Sequence, residues 1–316
     1  MDVSIVLINY NTRELTIDCI KSVIEKSNNF SYEIIVIDNQ SSDDSVKAIK
    51  ALNNPNVIVF ENNDNEGTAR AFNKGAKMAK GKYVFWLNTD TLLINNAIYE
   101  LYNFMENNPD AGVIGGNLYD ANKNPTLSYK KELMTLRYEK KEKSFFYQLL
   151  SKKRKRPNQK SFNYKNTPTE VAHISGADMM IRASLFSEIG YFNDNIFMYA
   201  EETDFEYRML KSTSYKSYNV PSSKIIHLEG MSFDKNTELN EFKFKQTCLG
   251  ECKFFYYNYG KKEAIKFLKI YRSLFKKTAF FARLVFKKNV YIKNMRKIEL
   301  LNSYILDFDN YINSFK

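Results

Sequence analysis

Gly81-Lys82-Tyr83-Val84-Phe85-Trp86-Leu87-Asn88-Thr89-Asp90-Thr91 is an apolar run that stops on three small polar residues. Tyr83 to Leu87 is too short for a globular helix, is rich in aromatics and follows a glycine, so it predicts a strand buried on both faces. Asn88, Thr89 and Asp90 then stand at its carboxyl end. In open α/β sheets ligands bind along that edge, and a carboxylate delivered there on a rigid strand suits a hard cation. Taken alone, Asn-Thr-Asp also reads as a turn and cap leading into a helix that starts near Asn95. The rest of the chain decides between the two.

Outward from this stretch, strands and helices alternate. Val3 to Ile8 is a β-branched run, a buried first strand ending in Asn9-Tyr10-Asn11-Thr12, and Thr12 is placed to cap a helix carrying Leu15, Ile17, Cys19, Ile20, Val23 and Ile24. Glu33 to Ile37 is a second buried strand ending on Asp38-Asn39. Ser41-Ser42-Asp43-Asp44 opens a short helix to Leu52, with acids expected in its first turn. Val57 to Phe60 is a third strand, followed by a polar loop from Asn62 to Thr68 and a helix from Ala69 to Ala79. This alternation predicts an α/β fold with a mostly parallel, doubly wound sheet flanked by helices, so that Asn9, Asp38 and Asn88 to Asp90 share one edge. A cleft of amides, one carboxylate for a base imide and another for a metal outlines a nucleoside diphosphate site. No Gly-x-x-x-x-Gly-Lys-Ser/Thr occurs and no Gly-x-Gly-x-x-Gly follows the first strand, which excludes a P-loop or dinucleotide fold.

The chain of 316 residues suffices for one large α/β domain plus an appendage, and 44% apolar with 15% aromatic residues specifies a folded protein. Met-Asp-Val-Ser enters a strand with no basic or apolar leader, so no signal peptide is expected. No window reaches the roughly 18 apolar residues of a spanning helix. Cys19, Cys248 and Cys252 are an odd set, expected as reduced thiols in a cytoplasm. Cys248 and Cys252 would share a helix face, but no His or Cys follows at zinc-site spacing, so they read as ordinary thiols. A net charge of +11 calls for an acidic partner: nucleic acid, anionic lipid or a phosphorylated substrate.

Several segments together resemble family 2 glycosyltransferases, in particular the rhamnosyltransferase-like branch. They are Val3 to Asn11, Ile34 to Asn39 with Ser41-Ser42-Asp43, Asn65-Glu-Gly-Thr-Ala-Arg70 with Asn73 and Gly75, and Leu87 to Asp90. The likeness continues through Pro109 to Val113, Ile174 to Ala177, Gly190 to Asn193, Phe197 to Asp204 and Ile226 to Gly230, in order and at the family's spacing. The resemblance implies a GT-A fold and an inverting transfer from a nucleotide sugar. It implies that Asp38 accepts from the N3–H of uracil or thymine, with Asn9, Asn11, Asn65, Arg70, Asn88 and Thr89 around the nucleotide. It makes Asp90 the metal aspartate and His227 a second ligand for Mn²⁺ or Mg²⁺. Asn88 stands where many members carry Asp, and a neutral amide is a weaker ligand for a hard dication. The family's general base falls on Glu202, with Glu201 and Asp204 as alternatives, although acids here also decorate a helix start. Of the two histidines, only His227 takes a role from the resemblance; His173 reads as structural.

Residues 1–235 are therefore expected to form the catalytic domain, with a basic variable insertion at about 126–168 around Lys152-Lys-Arg-Lys-Arg156. That pentamer reads as a solvated loop or as an acceptor-side or lipid-facing segment. Residues 236–316 are expected to be mainly helical and basic. Lys261 to Lys297 holds 13 Lys or Arg against Glu263 alone. There Ile265, Phe267, Leu268, Ile270, Tyr271, Leu274 and Phe275 form one face, opposite Lys266, Lys269, Arg272, Lys276 and Lys277. This predicts either a helix lying on an anionic membrane or one docked on the catalytic domain with a charged outer face. The partners expected are a dTDP or UDP sugar, a glycan or lipid-linked acceptor of cell-surface polysaccharide such as capsule or wall, and the inner membrane face, with no nucleic acid and a homodimer left open. The rivals are a sugar-phosphate nucleotidyltransferase, which would need a Gly-rich loop after the first strand, and a basic nucleic-acid-binding protein, whose affinity would fall steeply with salt.

Overall fold

The computed structural model describes residues 1–142, 161–228 and 237–314, and in it Tyr83–Leu87 is a strand, β4, with all five residues buried. Its side chains alternate between two cores, as a strand's must. Tyr83, Phe85 and Leu87 enter one with Ile5, Leu7, Ile20 and Leu101, while Val84 and Trp86 enter the other with Phe72, Phe192 and Phe205. Gly81 lets β4 begin where it does: a Cβ there would lie 2.5 Å from the Ser4 backbone nitrogen.

Ahead of β4 come β1 (Val3–Asn9), α1 (Arg13–Lys26), β2 (Tyr32–Asp38), α2 (Ser45–Lys50), β3 (Val57–Glu61) and α3 (Gly67–Met78). After it come β5 (Thr91–Leu93), α4 (Ala97–Asn107), β6 (Ala111–Tyr119), β7 (Tyr129–Lys130) and α5 (Leu136–Glu142). Then follow β8 (Thr169–Val171), β9 (His173–Ile174), β10 (Asp178–Arg182), α6 (Leu185–Ile189), α7 (Glu201–Ser212) and β11 (Lys216–His227). The main sheet runs β3-β2-β1-β4-β10-β6-β11-β5, with β8 also on β11, and β7 pairs with β9 apart from it. β1 to β4 are parallel, and β6 and β11 run the same way, so the sheet is mostly parallel as expected. The strict alternation is corrected in two places. β10 inserts antiparallel between β4 and β6, and β5 follows β4 with no helix between them and pairs antiparallel with β11.

Two local expectations also change. Thr12 precedes α1, but its hydroxyl turns to Asn9, and Asp43 Oδ2 instead accepts from the Arg13 N–H at 2.9 Å. α2 has no acid in its first turn; Asp43 sits before it and accepts from the Ser45 N–H and hydroxyl.

By its contacts the chain forms two units, described parts of Met1–Glu132, Arg156–Asp194 and Glu201–Asn240 making the first, and of Leu133–Lys155, Asn195–Ala200 and Glu241–Lys316 the second. The second is helical: α5, α8 (Thr237–Tyr259), α9 (Lys261–Leu284), α10 (Lys288–Leu306) and α11 (Phe308–Asn313). Gly260, at φ 89°, makes the break between α8 and α9. Cys248, Cys252, Phe254, Phe255, Phe267 and Leu268 fill its core. The apolar stripe of α9 is thus spent inside this unit: Phe267 stacks on Phe255, the Tyr271 hydroxyl donates to Glu251, and Phe275 meets Phe244. That corrects the expectation that this stripe faces a membrane. Lys152 to Arg156 lies outside the described residues.

Candidate active site

β1 and β2 pair in register to their last residues, which sets Asn9 beside Asp38. Asn9 is fully buried and every valence of its amide is taken. Its Oδ1 accepts from Thr12 (2.8 Å) and Thr16 (2.6 Å), and its Nδ2 donates to Asp38 Oδ1 (2.6 Å) and Ser41 Oγ (2.9 Å). Asn9 therefore has no group left for a ligand; what it does is hold Asp38. The other Asp38 oxygen accepts from the Ser41 N–H at 2.8 Å, and each carboxylate oxygen keeps a further lone pair. Asn11, at φ 53°, closes the rim by accepting from the Ser42 N–H at 2.8 Å.

Next along the edge, Asn65 Oδ1 accepts from the Gly67 N–H at 3.0 Å and starts α3, while the Asn39 amide donates to the Gly67 carbonyl at 3.3 Å. This brings the positive end of a twelve-residue helix beside the β2 terminus. Asn62 and Lys74 extend the network through Asn39, residues that sequence reasoning passed over because an amide in a polar loop carries no signal of its partner. Arg70 donates from Nε to the Asp194 carbonyl at 3.1 Å, which leaves its two terminal amino groups without a partner among the described residues. Asn73 pins the same turn through Phe192 and Asp194.

At the end of β4, the Asn88 carbonyl accepts from the Thr91 hydroxyl at 2.7 Å, and Thr89 Oγ1 lies 3.3 Å from Thr12 Oγ1. The half-buried Asn88 side chain makes no hydrogen bond among the described residues. Beneath it, burial pushes the Cys19 thiol up to about 12, so it is inert. β5 and β11 pair with His227 opposite Thr91, and the Leu228 N–H donates to the Asp90 carbonyl at 2.8 Å. That pairing carries His227 Nε2 to 3.2 Å from Asp90 Oδ1. Two residues far apart in the chain, both expected as metal ligands, are thus neighbours. Among the described residues no cluster of three or more His, Cys, Asp or Glu side chains gathers for a metal. One carboxylate and one imidazole fit a divalent cation that takes its remaining ligands from a diphosphate and water, rather than one held in an all-protein cage.

The three acids at the start of α7 differ sharply. Glu201 is buried and its Oε2 has no hydrogen-bond partner among the described residues; burial, aided by the nearby Glu202 charge, pushes its carboxyl well above the usual range. That shift favours the protonated form, the wrong one for a general base. Asp204 is buried and accepts from Arg208 Nε at 2.9 Å, while that guanidinium also donates to the Ile189 and Tyr191 carbonyls. Such a clamp fixes α7 against the turn after α6. Glu202 is partly exposed and lies beside Gly176 and Trp86: a Cβ on Gly176 would meet Trp86 ring carbons at 3.1 and 3.2 Å and the Glu202 carboxyl carbon at 3.5 Å. Glycine at 176 leaves room over Trp86 of β4, the strand that leads into Asp90.

Deeper on α7, Glu206 is fully buried, accepts from the Ile174 N–H (2.9 Å) and the Ser217 hydroxyl (3.1 Å), and has Oε2 2.6 Å from His173 Nδ1. Burial pushes the Glu206 carboxyl well above the usual carboxylate range and drops His173 to about 3. A protonated Oε2 donating to a neutral imidazole satisfies both groups. His173 is structural, as expected; its partner was not legible, since an acid five residues into a helix reads as a solvated face.

The family profile for glycosyl transferase family 2 matches residues 4–190. A poly(ribitol-phosphate) β-glucosyltransferase of Bacillus spizizenii is 31% identical over 119 residues, 36% of this chain and 19% of that one. A UDP-Glc:α-D-GlcNAc-diphosphoundecaprenol β-1,3-glucosyltransferase of Escherichia coli is 31% identical over 104 residues, 33% of this chain and 41% of that one. The chain thus spans less than half the length of these relatives. In fold it is similar to a mannosyltransferase from Pyrobaculum calidifontis solved with GDP-Man and Mn²⁺, at TM-score 0.58 and 14% identity over 96% of this chain and 87% of that one. That likeness establishes the GT-A fold. With the profile spanning more than half its length, the chain belongs to glycosyl transferase family 2.

Proposed function

We propose that the protein is a metal-dependent, inverting glycosyltransferase that moves a sugar from a dTDP or UDP donor, dTDP-rhamnose or a UDP-hexose, to a glycan or lipid-linked acceptor of cell-surface polysaccharide. The observation that carries this reading is the Asp90–His227 pair, 3.2 Å apart at the sheet edge where a diphosphate would lie. Asp38, held by Asn9 and Ser41, is suited to accept from the N3–H of a pyrimidine, and the free amino groups of Arg70 suit phosphate oxygens. Asp90 and His227 would hold Mn²⁺ or Mg²⁺, with Asn88 as a weak neighbour. Bound there, the cation would neutralise charge on the leaving diphosphate. Glu202 takes the proton of the acceptor hydroxyl as its oxygen bonds to the anomeric carbon, and the bond from that carbon to the diphosphate breaks on the opposite side. The Escherichia coli relative, a glucosyltransferase with a diphosphoundecaprenol-linked acceptor, supports a lipid carrier and hence work at the inner membrane face.

A thermal-shift screen of nucleotide sugars, with and without Mn²⁺, tests the donor side. A ligand at 100 times its Kd stabilises by about 2.7 kcal/mol, so a true donor gives a clear shift. Pyrimidine sugars should raise Tm only when Mn²⁺ is present. Equal shifts without metal, or none with any pyrimidine sugar, would refute the reading.

A further inference from the structure

The turn between α9 and α10 departs from what a water-facing turn should look like. Phe286 is 93% exposed, and Phe280, Leu284, Val285 and Ile292 around it are each more than half exposed. The turn is closed by Lys287 N–H to Ala282 O (2.9 Å) and Phe286 N–H to Arg283 O (3.3 Å), which places Phe286 at φ 53°. Helices commonly end on a left-handed residue, and glycine is the usual choice because a side chain there is disfavoured. Here an aromatic occupies that position, and its ring goes to solvent.

Charge surrounds the apolar tip. Lys276, Lys277, Arg283, Lys287, Lys288 and Lys293 are all exposed, and none makes an ion pair among the described residues. From Ala264 to Ile298 the sequence holds no acid at all. No described helix is long and apolar enough to cross a membrane. Apolar side chains ringed by unpaired cations match a surface that offers hydrocarbon beneath a layer of negative charge.

We propose that this tip, residues 280–293, seats the protein on an anionic lipid bilayer, with Leu284, Val285 and Phe286 entering the interface and Arg283, Lys287 and Lys288 meeting the headgroups. The assignment moves lipid contact from the apolar stripe of α9, whose Phe267, Leu268, Tyr271 and Leu274 are buried, to the exposed end of the helix pair. It rests on the membrane setting of the proposed function and not on its chemistry.

Sedimentation of the full chain with vesicles tests it. Wild type should pellet with phosphatidylglycerol-containing vesicles at low salt, release as salt rises, and ignore pure phosphatidylcholine. Each such cation is worth roughly fivefold in partitioning, so Arg283→Gln/Lys287→Gln/Lys288→Gln should lose about 100-fold. Leu284→Ser/Val285→Ser/Phe286→Ser should lose binding also at low salt; both triple variants change only exposed side chains, and circular dichroism confirms their fold. Asp90→Ala, inactive under the sugar-transfer reading, should bind like wild type, which separates failure of this proposal from failure of that one. Wild type left in the supernatant at low salt, or triple variants that bind unchanged, overturn it. So does a lipid-free dimer in sedimentation velocity that the serine variant makes monomeric, since a second copy then covers the tip.

Discussion

Glu201, Glu202 and Asp204 show how one sequence feature splits into three jobs. All three are carboxylates within one turn, and only their surroundings separate them. Glu201 is buried with its carboxyl pushed towards the protonated form, Asp204 is bonded to Arg208, and Glu202 alone of the three stands partly exposed, beside Gly176. Glu202→Gln should therefore lower the transfer rate by about 10²- to 10⁴-fold while donor binding, read by thermal shift, is kept. Normal transfer by Glu202→Gln together with a dead Asp204→Asn would move the base to Asp204. Asn9 makes the same point in reverse: it is legible as a polar residue at a strand end, but its saturated amide makes it the support of Asp38 rather than a contact.

At the scale of elements, the buried pair of Glu206 and His173 ties α7 to β9 and β11 and predicts a pH dependence. The Glu206 carboxyl is raised above its ordinary 4.5, so its contribution is full below that value and is lost as pH rises towards the folded-state value. His173 is lowered from 6.5 to about 3, so its contribution is full above 6.5 and is lost as pH falls towards 3. Between 4.5 and 6.5 the two slopes oppose each other, and above 6.5 His173 no longer offsets the Glu206 slope, which is at most about 1.4 kcal/mol per pH unit. Glu206→Gln keeps an acceptor for Ile174 and a donor for His173 but cannot ionise. Thermal melts from pH 4.5 upwards should show wild type losing stability relative to Glu206→Gln, and curves parallel over the whole range would contradict the assignment. β4 was legible because its apolar run is bounded by Gly81 and Asn88, local signals both. β10 was not, since insertion between β4 and β6 depends on pairing over long sequence separation, which periodicity does not record. Periodicity likewise gave α9 its apolar face but not what covers it: the stripe packs on α8, and the tip beyond it is bare.

Across the whole molecule, the mixed sheet gathers β1, β2, β4 and β11 termini on one side, while a separate helical unit carries most of the unbroken positive charge. The central claim is that Asp90 and His227, joined through the β5–β11 pairing, serve sugar transfer through a divalent cation. Release of nucleoside diphosphate from the preferred donor in the presence of acceptor, measured for wild type and Asp90→Ala with Mn²⁺ and for wild type in EDTA, tests it most directly. Wild type with Mn²⁺ should turn over, and both other samples should be silent. Turnover by Asp90→Ala at the wild-type rate, or full activity of wild type in EDTA, would contradict the account.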